Sequence, residues 1–443
     1  MLRMMGRDNS DGPAVDRSRL WHPFADMAAV QDREFVIDRA EDCHVWDRDG
    51  RRYLDATASL WCVNLGHGRP ELAAAIAEQH ARLDSFSIFG DYANEPAIRL
   101  AAKLAERAPV DDPRVFLTSG GGDSIDTAAK IVRGSFARRG RPGRMHLISR
   151  LGGYHGTHGY GTSLCGIEAN TAGWGPLDLQ TSVVQHDSVE ALEREILRLG
   201  PENVAGFFCE PVIGAGGVHL PPEGYLEGAA AVCAEYGVLF VADAVICGFG
   251  RLGSWFGVER WDVRPDLITF AKGVNSGVIP LGGVVVSGEV AEPFFAEPGG
   301  PVLRHGQTYA GHPLACAAGL AAIDCYERDG VLERGRTLEA PFADTLAPLR
   351  DHPAVGEVRA GIGLMAGIDL SPDLLAENPG ASAALQLAAR EEGLLVRPFA
   401  RGVAMSPPLT ITLDDLRGIR DTLGAALDRV QHVTRSAAVG GAR

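Results

Sequence analysis

Lys272 is the residue whose type and position most directly predict chemistry. Among 42 lysines and arginines, Lys103, Lys130 and Lys272 are the lysines. The first two lie in helical patterns, whereas Lys272 follows the apolar run Leu-Ile-Thr-Phe-Ala and precedes a glycine, which places it at the carboxyl end of a predicted strand. A buried lysine amine can lose its proton and then form a Schiff base, which arginine cannot do. A surface lysine in a loop is the alternative.

Two other predicted strand ends carry candidate residues. Three glycines, 120–122, separate the strand Arg-Val-Phe-Leu-Thr from a predicted helix, and backbone amides at such a turn can cradle a phosphate. A turn that needs glycine backbone angles is the alternative. Asp243 ends the run Val-Leu-Phe-Val-Ala, where a carboxylate is costly unless it is paired. A helix cap, or a partner such as Arg251, would also explain it.

Ligands of open α/β sheets bind beyond the carboxyl ends of the strands, so these three positions are expected to meet. A phosphate cradle, a carboxylate and a lysine together describe a site for pyridoxal phosphate. Lys272 would form the Schiff base with the cofactor aldehyde, and Asp243 would keep the pyridine nitrogen protonated. The glycine spacing fits neither a nucleoside-triphosphate loop nor a dinucleotide fingerprint.

The elements that must position these residues follow from the apolar pattern. Between about 95 and 310, strand-like and helix-like segments alternate, which predicts an α/β fold with a mainly parallel central sheet and helices on both faces. A smaller α+β unit follows, and its partner is the early segment with a hairpin at Asp49-Gly50. The predicted division is a flexible N-terminus at 1–20, small-domain parts at 21–70 and 313–430, a large cofactor-binding domain at 71–312, and a flexible tail at 431–443.

Composition narrows the class of protein. With 46% hydrophobic residues the chain is expected to be globular, and its net charge of −15 without a basic stripe argues against nucleic-acid binding. It has no apolar run of the roughly 20 residues that cross a bilayer and no secretion signal at its start, so we expect a cytoplasmic protein without a membrane partner. Its eight cysteines form no C-x-x-C pair and are expected to be buried, reduced thiols.

Several motifs carry a resemblance to one family. The segments that begin at Asp243 (DAVICGFGRLG) and Phe270 (FAKGV), with Glu210-Pro-Val, Tyr154-His-Gly and the segment HGQTYAGHP at His305, resemble the class III, or ω-, aminotransferases of fold type I. The likeness covers almost the whole chain. The segments 59–68, 395–398 and 406–408 are similar to the ω-amino acid:pyruvate branch.

This resemblance implies cofactor contacts. Tyr154 would stack on the cofactor ring, Val245 would pack on its other face, and Glu210 would lie near its oxygen. Thr308 would reach the phosphate of the neighbouring subunit's cofactor, which implies a homodimer with shared active sites. Tyr154 could instead anchor its loop, and Thr308 could simply be a loop hydroxyl. The full set of implied cofactor residues is Gly121, Gly122, Tyr154, His155, Glu210, Asp243, Val245, Lys272 and Thr308.

The resemblance also implies a substrate pocket. Arg397 would bind the carboxylate of an amino acid or keto acid, with Trp61 and Phe89 lining the pocket beside Tyr154. The two aromatic residues could equally be core residues, and Arg397 could serve a structural carboxylate. His155 and His158 are close enough in sequence to suggest a metal, but no third ligand is evident, so no metal is expected.

Two positions depart from the family pattern. Gly121-Gly122-Asp123 stands where Gly-Ser-Glu is usual, so a serine hydroxyl is missing and the phosphate would be held by backbone amides and the helix end. Asp243-Ala244-Val245 stands where Asp-Glu-Val is usual. Both changes bear on cofactor affinity and local hydrogen bonding.

The resulting hypothesis is ping-pong transfer of an amino group from a small-molecule amine or ω-amino acid to a keto acid or other carbonyl acceptor, with Lys272 as general base and acid. An aminomutase or decarboxylase on the same fold, and a regulatory relative without activity, are the alternatives.

Overall fold

Strands and helices alternate through the middle of the chain, as the apolar pattern predicts. The computed structural model describes residues 18–30, 33–175, 177–300 and 302–440, with side chains described to residue 434. The predicted N-terminal segment lies almost wholly outside these ranges, as do residues 441–443 of the predicted tail. The strands are β1 (Ile37–Glu41), β2 (His44–Asp47), β3 (Arg52–Asp55), β4 (Arg114–Thr118), β5 (His146–Arg150), β6 (Thr181–Val184), β7 (Val204–Cys209), β8 (Leu239–Asp243), β9 (Leu267–Phe270), β10 (Gly282–Val286), β11 (Val355–Arg359), β12 (Ala366–Leu370), β13 (Leu394–Leu395), β14 (Arg397–Phe399) and β15 (Gly402–Met405).

Some of the helices begin at side-chain caps. The Asn94 side chain accepts from Ala97 N at the start of one helix, and Ser188 caps another in the same way. The last helix continues to residue 440 and so includes the first ten residues of the predicted tail, 431–443. The helices are α1 (Met27–Val30), α2 (Ala58–Trp61), α3 (Pro70–Arg82), α4 (Glu95–Arg107), α5 (Gly121–Arg138), α6 (Gly159–Ser163), α7 (Val189–Leu199), α8 (Tyr225–Tyr236), α9 (Gly288–Phe295), α10 (Pro313–Arg328), α11 (Val331–Leu346), α12 (Pro372–Glu377), α13 (Ala381–Glu391) and α14 (Leu413–Gly440).

The central sheet has the strand order β4-β10-β9-β8-β7-β5-β6 in the described part of the chain. The five strands from β9 to β6 are parallel, and β10 is antiparallel to both of its neighbours. The predicted α/β fold with a mainly parallel sheet is confirmed. Because β8 and β9 are parallel neighbours, their carboxyl ends meet at one edge of the sheet.

Both faces of this sheet are covered, as predicted. Along β8, Phe240 and Ala242 pack in one apolar cluster with residues of α7 and α8, whereas Val241 packs in another with residues of α5. Alternate side chains of a strand point to opposite faces, so the two clusters lie on opposite sides of the sheet. The core therefore holds the strand ends rigidly between two helical layers.

Two smaller sheets, ordered β1-β2-β3-β13 and β11-β12-β15-β14, complete the described fold. Strands β2 and β3 form the predicted antiparallel hairpin, and β13 pairs in parallel with β3, which joins the C-terminal region to the early segment. None of the described helices combines the length and apolar character needed to cross a membrane. All eight cysteines fall within the described ranges as free thiols, and seven of them are buried.

Candidate active site

Asp243 and Lys272 line one small cavity at the edge where β8 and β9 end. Asp243 aligns with Thr269 across the two strands, and Lys272 begins a short 3-10 helix directly after β9. The φ angle of Lys272 is +47°, an uncommon conformation for a residue with a Cβ, and it turns the chain at the strand end. The cavity has a volume of about 190 Å³. The predicted meeting of the carboxylate and the amine is present in the structure.

The Asp243 carboxylate is buried and fully engaged. Its Oδ1 accepts from the Thr269 hydroxyl (3.0 Å) and from Val245 N (3.1 Å), and Nδ1 of His155 donates to its Oδ2 (2.7 Å). Arg251, the suggested alternative partner, is buried elsewhere and donates to two carbonyl groups and an amide oxygen. The carboxylate is thus oriented by three hydrogen bonds, and among the described residues it has no guanidinium partner.

Lys272 is held in a setting that disfavours its charged form. Burial lowers the pKa of the Lys272 amine below its usual value, while the negative charges of Asp243 and Glu210 act in the opposite direction. The positive charge of Arg397 adds to the lowering. A lysine whose neutral form is favoured is suited to act as a nucleophile and as a base.

The glycine loop forms the floor of the same cavity. Helix α5 begins at Gly121, so the N–H groups of Gly121 and Gly122, which line the cavity, have no partner within the helix. Ser124 stabilises this start by donating to the Gly120 carbonyl (2.8 Å). A Cβ at Gly121 would lie 2.8 Å from Cγ1 of Val245, so the close approach of these two elements requires glycine. Both of the predicted glycines, 121 and 122, line the cavity.

Tyr154, His155 and Glu210 complete the lining. Glu210 accepts from Tyr154 N (3.0 Å) and from Gly214 N (3.0 Å), which fixes the loop that carries Tyr154 and His155. Burial raises the pKa of the Glu210 carboxyl and also that of the Tyr154 hydroxyl.

This set of groups fits pyridoxal phosphate. An amine, a carboxylate and unpaired helix amides surround one cavity, and its volume is below the roughly 300–1,000 Å³ typical of sites for larger ligands. A small ring with one phosphate matches both the size and the chemistry. Lys272, Asp243 and the start of α5 are the residues that would hold it.

Arg397 lies beside this cavity and lines a larger one of about 550 Å³. Burial lowers the pKa of the Arg397 guanidinium, and its charge opposes the raised pKa of Tyr154, so the two side chains are close. Among the described residues no carboxylate lies within 4.0 Å of Arg397, which argues against the structural ion pair considered above.

The remaining predicted residues are placed differently. Trp61 is buried in an apolar cluster with Ile246, a residue that lines the lysine cavity. Phe89 is 51% exposed and lines a separate groove with Tyr92, and Thr308 is exposed. Within one chain, neither Phe89 nor Thr308 therefore lines the cavity that holds Lys272.

Sequence reasoning missed Thr269 and the contribution of His158. Thr269 lies three residues before Lys272, and its hydrogen bond to Asp243 depends on the register between β8 and β9, which the sequence pattern does not give. His158 lines the cavity although it was considered only as a metal ligand. Ala244, the second departure from the family pattern, is fully buried in an apolar cluster, where a glutamate would need a polar partner.

Comparisons with known proteins identify the family of this chain. Residues 27–427 match the family model for aminotransferase class III. The chain is 37% identical over 421 residues to putrescine–pyruvate aminotransferase of Pseudomonas aeruginosa, covering 90% of this chain and 91% of that one. It is 35% identical to the omega-aminotransferase of Caulobacter vibrioides, covering 95% and 99%. An amine transaminase from an uncultivated Pseudomonas species, solved with pyridoxal phosphate bound, superposes with a TM-score of 0.87 at 34% identity, covering 93% and 99%.

These matches span the cofactor cavity and both smaller sheets, and they confirm the resemblance inferred from the motifs. They give no support to an aminomutase, a decarboxylase or a regulatory relative. The chain belongs to the class III aminotransferases and is an enzyme that uses pyridoxal phosphate to move an amino group from an amine to a carbonyl acceptor.

Proposed function

We propose that Lys272 is the catalytic amine of this transaminase and that Asp243 is its electrostatic partner. The observation that carries the proposal is their convergence on one cavity from the ends of adjacent parallel strands. Bound pyridoxal phosphate supplies an aldehyde and an electron-accepting ring. Nζ of Lys272, whose charged form is disfavoured by burial, would remove the proton from the substrate carbon that bears the amino group and later return one. The Asp243 carboxylate would keep the pyridine nitrogen of the bound cofactor protonated. The same lysine would serve both half-reactions, and the kinetics would be ping-pong because the carbonyl product of the donor leaves before the acceptor binds.

The proposed acceptor is a small keto acid, and the proposed donor is an amine or ω-amino acid. Arg397 supports the acceptor because a guanidinium binds a carboxylate through two parallel hydrogen bonds, and this one is free of ion pairs within the described residues. Its larger cavity is mostly apolar, with Phe35 and Leu60 in the lining, which suits a donor that lacks a second charge. Trp61 stays a predicted pocket residue.

We further propose a homodimer whose active sites are shared. Phe86, Phe89, Tyr92 and Tyr309 are large apolar side chains that are more than half exposed, and such a patch suits a second copy of the chain. Thr308 is exposed next to Tyr309, a position from which it could reach a partner's phosphate but not the cavity of its own chain. A cytoplasmic location and the lack of nucleic-acid and membrane partners stay predictions from the sequence.

A chemical fixation experiment tests the lysine assignment. The enzyme is loaded with pyridoxal phosphate and reduced with borohydride, and its peptides are analysed by mass spectrometry. We expect the cofactor mass on the peptide that contains Lys272. Lys272→Ala should carry no fixed cofactor and show no turnover, whereas Lys103→Ala, which alters an amine on α4 that pairs with Asp324, serves as the matched control and should behave as wild type. Turnover by Lys272→Ala would refute the assignment.

A further inference from the structure

Gly122 and His158 occupy neighbouring positions at the phosphate end of the cofactor cavity. Gly122 lies in the first turn of α5 and has no left-handed φ, so its backbone does not require glycine. A Cβ added there would lie 3.3 Å from both Cε1 and Nδ1 of the His158 ring. That separation is tighter than ordinary van der Waals contact. The missing serine side chain therefore leaves space that the imidazole uses.

The local fold holds the imidazole in this place. The loop from Tyr154 to α6 approaches α5 closely at Gly156, whose φ is +91° and where a Cβ would lie 2.9 Å from Cα of Gly122. His158 is the residue before α6 and its carbonyl accepts from Thr162 N. The position of the His158 ring follows from this close approach of the loop to α5.

The His158 ring is half exposed and faces the cavity that also holds Lys272. Its Nδ1 lies 3.4 Å from Oδ1 of Asp123, and within the described ranges its ring nitrogens make no hydrogen bond. Asp123 lies in the first turn of α5, so its negative charge would oppose a phosphate bound there. A ring N–H donated to the phosphate would offset this repulsion.

We propose that His158 binds the phosphate of pyridoxal phosphate, in the role that the absent serine hydroxyl would have. The inference rests on the proposed placement of the phosphate at the start of α5. A histidine N–H can donate to a phosphate oxygen in the neutral as well as in the charged ring. Glycine at position 122 thus lacks one phosphate donor, the serine hydroxyl, and leaves room for another, the His158 ring.

The test compares two ligands that do not bond to Lys272. Isothermal titration of the cofactor-free enzyme measures Kd for pyridoxamine phosphate and for pyridoxamine, which lacks the phosphate. One hydrogen bond to a charged group is worth roughly 1.5–3 kcal/mol, so His158→Ala should raise Kd for pyridoxamine phosphate about 10- to 100-fold. The Kd of His158→Ala for pyridoxamine should stay within about twofold of wild type, because pyridoxamine lacks the phosphate that His158 is proposed to contact. Unchanged binding of pyridoxamine phosphate, or equal weakening of both ligands, overturns the proposal.

Two double variants separate direct contact from indirect effects. Gly122→Ser/His158→Ala restores the serine donor and should lower Kd for pyridoxamine phosphate relative to His158→Ala; no improvement would overturn the exchange of roles. If His158 only shields Asp123, then Asp123→Asn/His158→Ala would regain wild-type affinity, which would overturn direct contact. Thermal denaturation confirms that each variant is folded. Wild-type enzyme that binds neither ligand would instead refute the proposed cofactor placement itself.

Discussion

Replacing Asp243 with asparagine separates the charge of this residue from its hydrogen bonds. In the structure Oδ1 accepts from the Thr269 hydroxyl and from Val245 N, and Oδ2 accepts from His155. An asparagine oxygen can keep the first two bonds. Its amide nitrogen then faces Nδ1 of His155, which can accept if the ring takes its other tautomer. The substitution therefore removes one negative charge from the cavity at nearly constant hydrogen bonding.

The expected effects on stability and catalysis differ in size. With the hydrogen bonds retained, the free energy of unfolding of the cofactor-free protein should change by about 1 kcal/mol or less. The rate of amino transfer should fall about 10²- to 10³-fold, the usual loss when one preorganised electrostatic group is removed from an active site, equal to about 2.7–4 kcal/mol. The matched control is Thr269→Val, which removes one hydrogen bond to the same carboxylate but leaves its charge. Such a bond to a charged group is worth roughly 1.5–3 kcal/mol. Because it is made in the ground state and in the transition state alike, its loss should lower the rate only roughly tenfold or less.

The assay is the first half-reaction alone. Cofactor-loaded enzyme is mixed with an amine donor without an acceptor, and the absorbance change of the bound cofactor gives the rate. Denaturant unfolding of the cofactor-free proteins gives the stability. The reasoning fails if Asp243→Asn reacts as fast as wild type, or if Thr269→Val loses as much as Asp243→Asn, because the charge would then not be the contribution that matters.

Three further changes have defined outcomes. Arg397→Ala should raise KM for a keto acid about 10- to 100-fold in steady-state kinetics, because charge-assisted hydrogen bonds to the carboxylate are lost. The half-reaction with an uncharged amine should stay near the wild-type rate. An unchanged KM for the keto acid would show that the role is wrong. Glu210→Gln should lower the free energy of unfolding, measured by urea titration, by about 1–3 kcal/mol. The reason is that one of the two backbone N–H groups bonded to Glu210 would then face an amide nitrogen. An unchanged free energy of unfolding would count against this account. Because the folded-state pKa of Lys272 is lowered, the unfolded chain binds more protons between that pKa and about 10.5, so the cofactor-free protein should gain stability as pH rises through this window. Lys272→Met should abolish that gain, and an equal pH slope in both proteins would contradict it.

The orientation of β10 shows where sequence pattern stops being informative. The run Gly-Gly-Val-Val-Val predicts a strand in either direction. Residues 271–281 connect it to β9, and they turn through a 3-10 helix without a crossover helix. Parallel neighbours need a crossover of a dozen or more residues, usually helical, so β10 returns antiparallel. Its direction is set by the connection and not by its own residues.

The chemistry of this enzyme could be predicted from the sequence because it depends on residue type and on the order of residues along the chain. A lysine in a chain nearly free of lysine, an aspartate after a buried strand and a glycine turn before a helix each mark a strand end, and parallel strands bring such ends together. The contacts that set the charge and geometry of the site could not be predicted in this way. The Thr269 bond to Asp243, the field of Arg397 at Lys272, and the space that Gly122 leaves for His158 join residues far apart in sequence or on different elements. Those contacts depend on how backbones pack to within a few tenths of an ångström, which only the tertiary structure decides.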